Sequence, residues 1–414
     1  MRPRPPSWLV AAALALVASA CLVPPARADF PLTAEPDPFR LDAALEGRDF
    51  RYNNESFMHR FGYMPGIPLD PRQPLWRDGI FGTVGSVRSK EFYSLVGVRA
   101  SGKLGETTRM VYRFRRDEDF DGRFDRNLVG LEQSLPRQWR WSILINPEAV
   151  KANDDLQVEL AWQGAPGHQF RIAYVLVDPF YSGKTPEARY ERQPRTVFAE
   201  YRWQGDSFGL YTFVNDNLHT SYRDLNTDFL LDYGQSSGGL ALAWQFPGGA
   251  WLQTAVQAEN GWRRGLMADG SRSDFHRRFR TLTTVAGRPL TGALEGWAGL
   301  RLLYLDEDNP DGLYTEQPLK LRFRQAMLMG GISWPFRPGI YFRPAIYANR
   351  VDNENAYAGT APTREKRWVG KLALPVEWRW GADEQKMLSF GLTFHLHKNI
   401  FGGANMQVLV PFEQ

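Results

Sequence analysis

The sequence has little cysteine and no long hydrophobic stretch, and each shortage excludes a class of protein. A single cysteine among 414 residues excludes a disulfide scaffold, a cysteine-based zinc site and a CxxCH haem attachment. The only long apolar run, residues 8–23, is too short for a transmembrane helix and lies at the extreme N-terminus. Disorder is excluded as well, because 14 Trp, 16 Tyr and 26 Phe are too much apolar surface to leave solvated.

The first 28 residues have the parts of an export signal. Arg2 and Arg4 precede the apolar run, and Ala26-Arg27-Ala28 provides an A-x-A cleavage site. A lipoprotein signal ending at Cys21 is the alternative, but Ala18 stands where that signal usually has leucine. The sequence therefore predicts a signal peptide over residues 1–28. Cleavage there lowers the formal net charge of +4 by three, which removes the main support for nucleic-acid binding.

Residues 29–77 differ in composition from the rest of the chain. They are rich in proline and have no sustained hydrophobic period. Two interpretations stay open, an irregular periplasmic extension and a plug folded into the lumen of the following domain.

From about residue 78 to the end at residue 414 the chain changes to segments in which apolar and polar residues alternate. Residues 110–115 and 156–163 alternate cleanly, and Leu388, Phe390, Leu392, Phe394 and Leu396 share one face of another such segment. Alternation places apolar side chains on one face of a sheet and polar ones on the other. The pattern predicts an all-β domain.

Short turns and longer polar loops follow one another along this domain. Short turns are expected at residues 101–107, 134–137, 164–168, 204–206, 247–249, 287–291, 335–338 and 381–383. Long loops are expected at residues 146–155, 178–195, 215–235, 260–275, 306–320 and 355–366. Such alternation is typical of an outer-membrane barrel with short periplasmic turns and long external loops. We therefore predict a transmembrane antiparallel up-and-down β-barrel of about 18 strands, with 16 as the alternative.

The C-terminal strand carries the most specific resemblance. Met406, Val408, Val410 and Phe412 alternate towards a terminal aromatic residue. The chain resembles a Gram-negative outer-membrane β-barrel of the porin type. The resemblance implies an outer-membrane location and four kinds of partner: outer-membrane lipid and lipopolysaccharide, the barrel-assembly machinery, and small polar solutes.

An acidic segment has the spacing of a calcium loop. Asp117, Asp119, Asp121 and Asp125 match ligand positions 1, 3, 5 and 9, and Gly122 stands at the sharp turn. The closing glutamate is absent, because Leu128 occupies position 12. Calcium is the one cofactor that the sequence suggests. The alternative is a solvated acidic hairpin, and residues 306–312 follow the same plan loosely.

Histidines and serines provide little evidence of catalysis. His395 and His397 form an H-x-H pair on one face of the penultimate strand, without an identifiable third metal ligand. No G-x-S-x-G elbow marks a nucleophile. We expect no catalytic residues, and an outer-membrane hydrolase is the least favoured alternative.

Arginine far outnumbers lysine, and its placement suggests a function. Strand direction, followed from the turns, places Arg115, Arg301, Arg322 and Arg324 towards the external end of the lumen, with Arg278 and Arg280 less securely phased. Guanidinium groups there would favour anions, or else pair with glutamates to brace the barrel. The sequence thus predicts a channel for passive diffusion or export of polar, anionic solutes. The alternative is a barrel that sheaths a partner such as a multihaem cytochrome.

Overall fold

The computed structural model describes most of the chain after residue 77. The described residues are 78–87, 91–119, 122–146, 156–164, 167–176, 195–224, 229–266, 272–308, 319–357, 359–381, 386–397 and 400–412. The predicted signal peptide, residues 1–28, and the proline-rich residues 29–77 lie outside them.

The described residues form β-strands joined by turns, with a single 3-10 turn at Pro136–Gln138. The first nine strands are β1 (Gly79–Val87), β2 (Glu91–Lys103), β3 (Thr108–Asp119), β4 (Gly122–Ser134), β5 (Trp139–Ile145), β6 (Leu156–Trp162), β7 (His168–Leu176), β8 (Arg195–Gln204) and β9 (Phe208–Asp224). The others are β10 (Phe229–Gln245), β11 (Trp251–Leu266), β12 (Arg272–Thr291), β13 (Leu294–Asp308), β14 (Lys320–Arg337), β15 (Ile340–Phe342), β16 (Ala345–Ala356), β17 (Thr363–Trp380), β18 (Lys386–His395) and β19 (Ile400–Pro411). In this described part, no helix is long and apolar enough to cross a membrane.

The strands close into a ring. Consecutive strands pair antiparallel, and β1 pairs with β19 from Gly79↔Pro411 to Val87↔Gly403. The all-β up-and-down barrel predicted from the sequence is confirmed.

The short strand β15 and the strand β16 occupy one place in the ring. Both pair with β14 and with β17. Pro344, which has no amide hydrogen, lies between them and breaks the ladder. The Pro344 carbonyl still accepts a hydrogen bond from Ile332 (3.1 Å). The nineteen segments therefore make eighteen strand positions, in agreement with the predicted count.

Alternate residues of each strand face the two sides of the ring. In β13, Arg301, Leu303 and Leu305 are buried, whereas Leu300 and Leu302 are exposed. The buried side is the concave, inward one, because its side chains reach across several strands. The outward side carries exposed large apolar residues on most strands. This arrangement is the one that a surrounding hydrocarbon phase requires.

The two ends of the ring differ. At one end, short turns join β2 to β3, β4 to β5, β6 to β7, β8 to β9 and β10 to β11, and both β1 and β19 have their terminal residues there. Longer connections, such as those following β5 and β7, lie at the other end. In outer-membrane barrels the short turns are periplasmic.

Two predicted loops are wrong, because the strands continue through them. Residues 215–235 were expected to form a loop, but β9 extends to Asp224 and β10 begins at Phe229. Residues 260–275 likewise belong mostly to β11 and β12. Beyond the apolar band both faces of a hairpin are polar, so composition resembles that of a loop while backbone pairing continues.

Candidate functional site: the inward face and the external rim

A cluster of ion pairs lies on the inward face near the end of the ring that holds the short turns. Arg99 of β2 binds Asp78, next to the start of β1, and Glu132 of β4, the latter at 2.6 Å. Glu132 also binds Arg140 of β5 at 3.0 Å. Arg99, Asp78 and Glu132 are buried. The cluster thus joins the ends of β1, β2, β4 and β5.

A second cluster is centred on Glu159 of β6. Its carboxylate accepts hydrogen bonds from Arg113 of β3 (2.9 Å) and Arg171 of β7 (3.0 Å). Arg171 also forms an ion pair with Glu200 of β8 at 3.3 Å, and the Tyr211 hydroxyl donates to Glu200 at 3.0 Å. Arg113 and Glu159 lie three strand positions apart, so the contact is made on the inward side.

The opposite wall of the ring is only partly polar on its inward face. Arg277 pairs with Glu307 at 3.2 Å, and Glu377 pairs with Arg379 and Arg343. Between these pairs the inward face carries a buried apolar cluster of Phe279, Leu303, Leu305, Leu321, Phe323, Val351 and Val369. From β12 to β17 the inward face is therefore not polar throughout, in contrast to the division into one apolar and one polar face that alternation predicts. The run Leu302–Leu305, which does not alternate, is the sequence signal that both faces are apolar there.

Charge is balanced among the most buried groups of the inward face. Among the described residues, seven buried cations face seven buried carboxylates. The cations are Arg99, Arg171, Arg202, Arg277, Arg301, Lys371 and Arg379, and the carboxylates are Asp78, Glu132, Glu159, Glu200, Glu259, Glu307 and Glu377. Many of these groups are paired, so their first effect is to hold neighbouring strands together.

Arg322 and Arg324 do not line the lumen, which corrects the prediction. Leu321, Phe323 and Gln325 are the buried, inward residues of this part of β14, and the two arginines alternate with them on the outward face. Arg322 lies 3.6 Å from Asp306 and 3.9 Å from Glu354, and Arg324 lies over the Tyr304 ring. Strand direction correctly predicts that these two residues lie towards the external end of the barrel. It does not predict which face of the sheet their side chains occupy.

The other two predicted lumen arginines occupy inward positions. Arg301 is inward and only 3% exposed. Position 115 has the same parity along β3 as Arg113, which reaches Glu159 on the inward side. By contrast, Arg278 and Arg280 alternate with the buried Arg277 and Phe279, and both lie exposed on the outward face.

Aromatic side chains mark two levels of the outward face. On β17, Trp368 is exposed towards the external end, and Trp378 contacts Trp380 near the short turns, with ring centroids 4.8 Å apart. Trp203 of β8, Phe208 of β9 and Trp244 of β10 contact one another near the short turns in another part of the ring. Ten residues of strand span about 33 Å, which a usual barrel tilt reduces to about 25 Å of height. This separation fits the apolar band of an outer-membrane barrel.

Solved structures similar to this chain are outer-membrane porins. OprD of Pseudomonas aeruginosa is 8% identical with a TM-score of 0.45, and the match covers 81% of this chain and 92% of that one. OccK2 (OpdF) of the same organism, in complex with glucuronate, is 11% identical with a TM-score of 0.44, covering 81% and 97%. An anion-selective porin from Comamonas acidovorans is 11% identical with a TM-score of 0.34, covering 80% and 97%.

No family model and no curated protein sequence matches the chain. The fold itself rests on the strand pairings described above.

The proposed calcium ligands lie on the hairpin of β3 and β4. Asp117 pairs with Phe124, and Asp119 with Gly122, whereas Asp125 pairs with Arg116. The structure describes residues 117, 119 and 125 as backbone positions of this ladder, and Asp121 lies outside the described residues. No group of three or more histidine, cysteine, aspartate or glutamate residues that could hold a metal occurs in the described part. Calcium binding at this hairpin stays a prediction.

The two histidines of β18 and its following turn have different surroundings. His395 is buried on the inward face, and its ring centroid lies 5.6 Å from that of the exposed His397. His397 Nδ1 lies 3.4 Å from the Gly370 carbonyl oxygen. His395 therefore has the environment of a packed strand residue and His397 that of an exposed turn residue, and their sequence spacing alone does not define a site.

Proposed function

We propose that this protein is a channel of the Gram-negative outer membrane for small polar solutes, with a preference for anions. The supporting observation is the closed ring of eighteen strand positions, with ion-paired side chains buried inside and apolar side chains exposed outside. Such a ring satisfies every backbone group laterally and needs an apolar surrounding for its outward face. The solved porins similar to this chain, one of them anion-selective and one bound to glucuronate, agree in kind with this proposal.

The anion preference is the finer part of the proposal and depends on few residues. Because the most buried inward charges balance, a preference for anions depends on the less buried inward cations and on where the cations lie along the lumen. Of the four arginines predicted to line the lumen, Arg301 has its side chain on the inward face. Position 115 has the same parity along β3 as the inward Arg113. The predicted lipopolysaccharide and assembly-machinery partners follow from the same proposed location.

Reversal potentials in a planar bilayer test both parts. In a salt gradient, we expect conductance steps and anion preference in the wild type, and a weaker preference for Arg301→Gln at low salt, where screening is least. Arg324→Gln is the matched control, since Arg324 faces outward on the neighbouring strand β14. Absence of conductance would contradict the channel. Cation preference, or equal shifts in both variants, would contradict the anion assignment alone.

The alternative prediction is a barrel that surrounds a partner protein such as a multihaem cytochrome. A Soret band in barrel purified from native membranes would identify a haem partner. A haem-free preparation that conducts ions would favour the channel.

A further inference from the structure

The external part of the outward face changes from apolar to charged at a similar point on five neighbouring strands. On β12, β14 and β16 the outward residues below this change are apolar or small, including Leu282, Leu328 and Ile346. The first charged outward residue above it is a cation on four of the five strands. These are Arg280 of β12, Arg324 of β14, Arg350 of β16 and Lys366 of β17, which we call the cation rim.

The members of the cation rim lie beside one another in the sheet. Arg280 pairs in register with Tyr304, which pairs with Arg324, and Arg324 pairs with Asp352, which pairs with Lys366. Arg350 lies one outward position lower, paired with Trp368. With strands about 4.8 Å apart, the rim is about 20 Å wide.

Carboxylates near the rim are occupied by other cations. Arg364 binds Asp352 through two hydrogen bonds, at 2.9 and 2.7 Å. Asp306 and Glu354 pair with Arg322, one step further from the apolar band. No described carboxylate lies within ion-pair distance of Arg280, Arg324, Arg350 or Lys366, and the three arginines and the lysine are exposed. Asp352 also interacts electrostatically with Arg324 and Lys366, but one carboxylate shared with Arg364 does not neutralise both, so the rim presents net positive charge.

We infer that the cation rim binds the phosphate groups of an anionic outer-leaflet glycolipid. Cations directly above an apolar band lie where a lipid phosphate lies, and arginine binds phosphate with a bidentate fork. Trp368 beside Arg350 is typical of the same interfacial level. The inference rests on the proposed outer-membrane location, and it adds to the predicted lipopolysaccharide partner a binding surface with named contact residues.

Native mass spectrometry of the barrel in a non-ionic detergent would measure this binding. The probes are diphosphoryl lipid A and a neutral diglycosyl diacylglycerol. We expect Arg280→Gln/Arg324→Gln to weaken diphosphoryl lipid A binding about tenfold or more, since each surface cation contributes about one factor of five. Arg288→Gln/Arg337→Gln removes two exposed arginines at the other end of the ring and should leave binding unchanged.

Several outcomes would overturn the inference. They are equal weakening in both double variants, no weakening in either, equal binding of the neutral lipid, and displacement of lipid A by excess inorganic phosphate, which would indicate a soluble-anion site. Bilayer conductance of the same variants is a separate measurement. Intact conductance without rim-dependent binding would refute the rim only, and rim-dependent binding without conductance would refute the channel only.

Discussion

At the scale of single residues, Glu159 gives a test of whether the inward ion pairs stabilise the barrel. It is buried and accepts hydrogen bonds from Arg113 and Arg171. Glu159→Gln keeps the shape of the side chain but removes the carboxylate that pairs with Arg113, and it leaves the buried Arg171 with Glu200 as its remaining ion-pair partner. We expect the free energy of unfolding, measured by urea titration of the refolded barrel, to fall by about 3 kcal/mol.

Glu354→Gln is the matched control for that prediction. Glu354 lies outward and half-exposed, 3.9 Å from Arg322, so its loss should cost less than about 1 kcal/mol. Equal losses in the two variants would mean that the inward ion pairs do not brace the ring.

Which arginines face inward could be predicted from the sequence only where alternation is unambiguous. Arg301 is flanked by Leu300 and Leu302, so its strand has a clear polar position among outward apolar ones. Arg322 and Arg324 instead alternate with Leu321 and Phe323, a pattern that indicates outward apolar residues in a barrel but here marks the inward cluster. The sequence of β14 alone does not distinguish these inward apolar residues from lipid-facing ones, and the run Leu302–Leu305 of β13 is the signal that both faces are apolar in this part of the ring.

At the scale of elements, the turn between β14 and β15 depends on Gly339. Its φ is +72°, and a Cβ there would lie 2.4 Å from the Arg379 carbonyl oxygen of β17. Gly359 has almost the same φ, +71°, with open space around it. Alanine should therefore cost about 1 kcal/mol at Gly359 for the left-handed backbone, and at least about twice that at Gly339.

Thermal or urea unfolding of Gly339→Ala and Gly359→Ala would measure the difference. Because backbone strain is matched, the excess at Gly339 reports the close approach to β17. Similar losses at both glycines would show that the turn can move away from Arg379.

The strands that sequence alternation identifies are those within the apolar band. The segments predicted at residues 110–115 and 156–163 are confirmed by β3 and β6. The external parts of β9 to β12 were assigned to loops, because outside hydrocarbon nothing forces one face of a hairpin to be apolar. Their pairing continues through backbone hydrogen bonds, which side-chain composition does not reveal.

The outward face of β14 gives a test of its surroundings. Leu328 is 59% exposed in the apolar band, and Leu104 is 63% exposed in the turn between β2 and β3. Leu328→Arg should destabilise the barrel folded in lipid vesicles by about 2–4 kcal/mol, the cost of arginine near the bilayer midplane. Leu104→Arg should change stability by less than about 0.5 kcal/mol, as for an ordinary surface substitution. Equal effects would show that the outward face does not contact hydrocarbon.

At the scale of the whole molecule, an even strand count follows from the position of the chain ends. β1 begins at Gly79, next to the predicted domain start at residue 78, and β19 ends at Pro411, next to the terminal aromatic residue Phe412. Because both ends lie among the short turns, the ring needs an even number of strand positions to close antiparallel. The sequence alone does not show that β15 and β16 occupy one strand position, because a proline between two alternating segments also indicates a turn between two separate strands.

The closure of β1 on β19 can be tested by cross-linking. Val84 and Met406 are partners in the register and both are exposed on the outward face. Paired Cα atoms of antiparallel strands lie about 4.5–5.5 Å apart, within the range that a disulfide bridges. In a variant with Cys21→Ser, we expect Val84→Cys/Met406→Cys to oxidise spontaneously and to change electrophoretic mobility reversibly with reductant. Val84→Cys/Val408→Cys, displaced by two residues, should cross-link much more slowly. Faster cross-linking of the displaced pair, or none in either, would mean that the ring closes in another register or not at all.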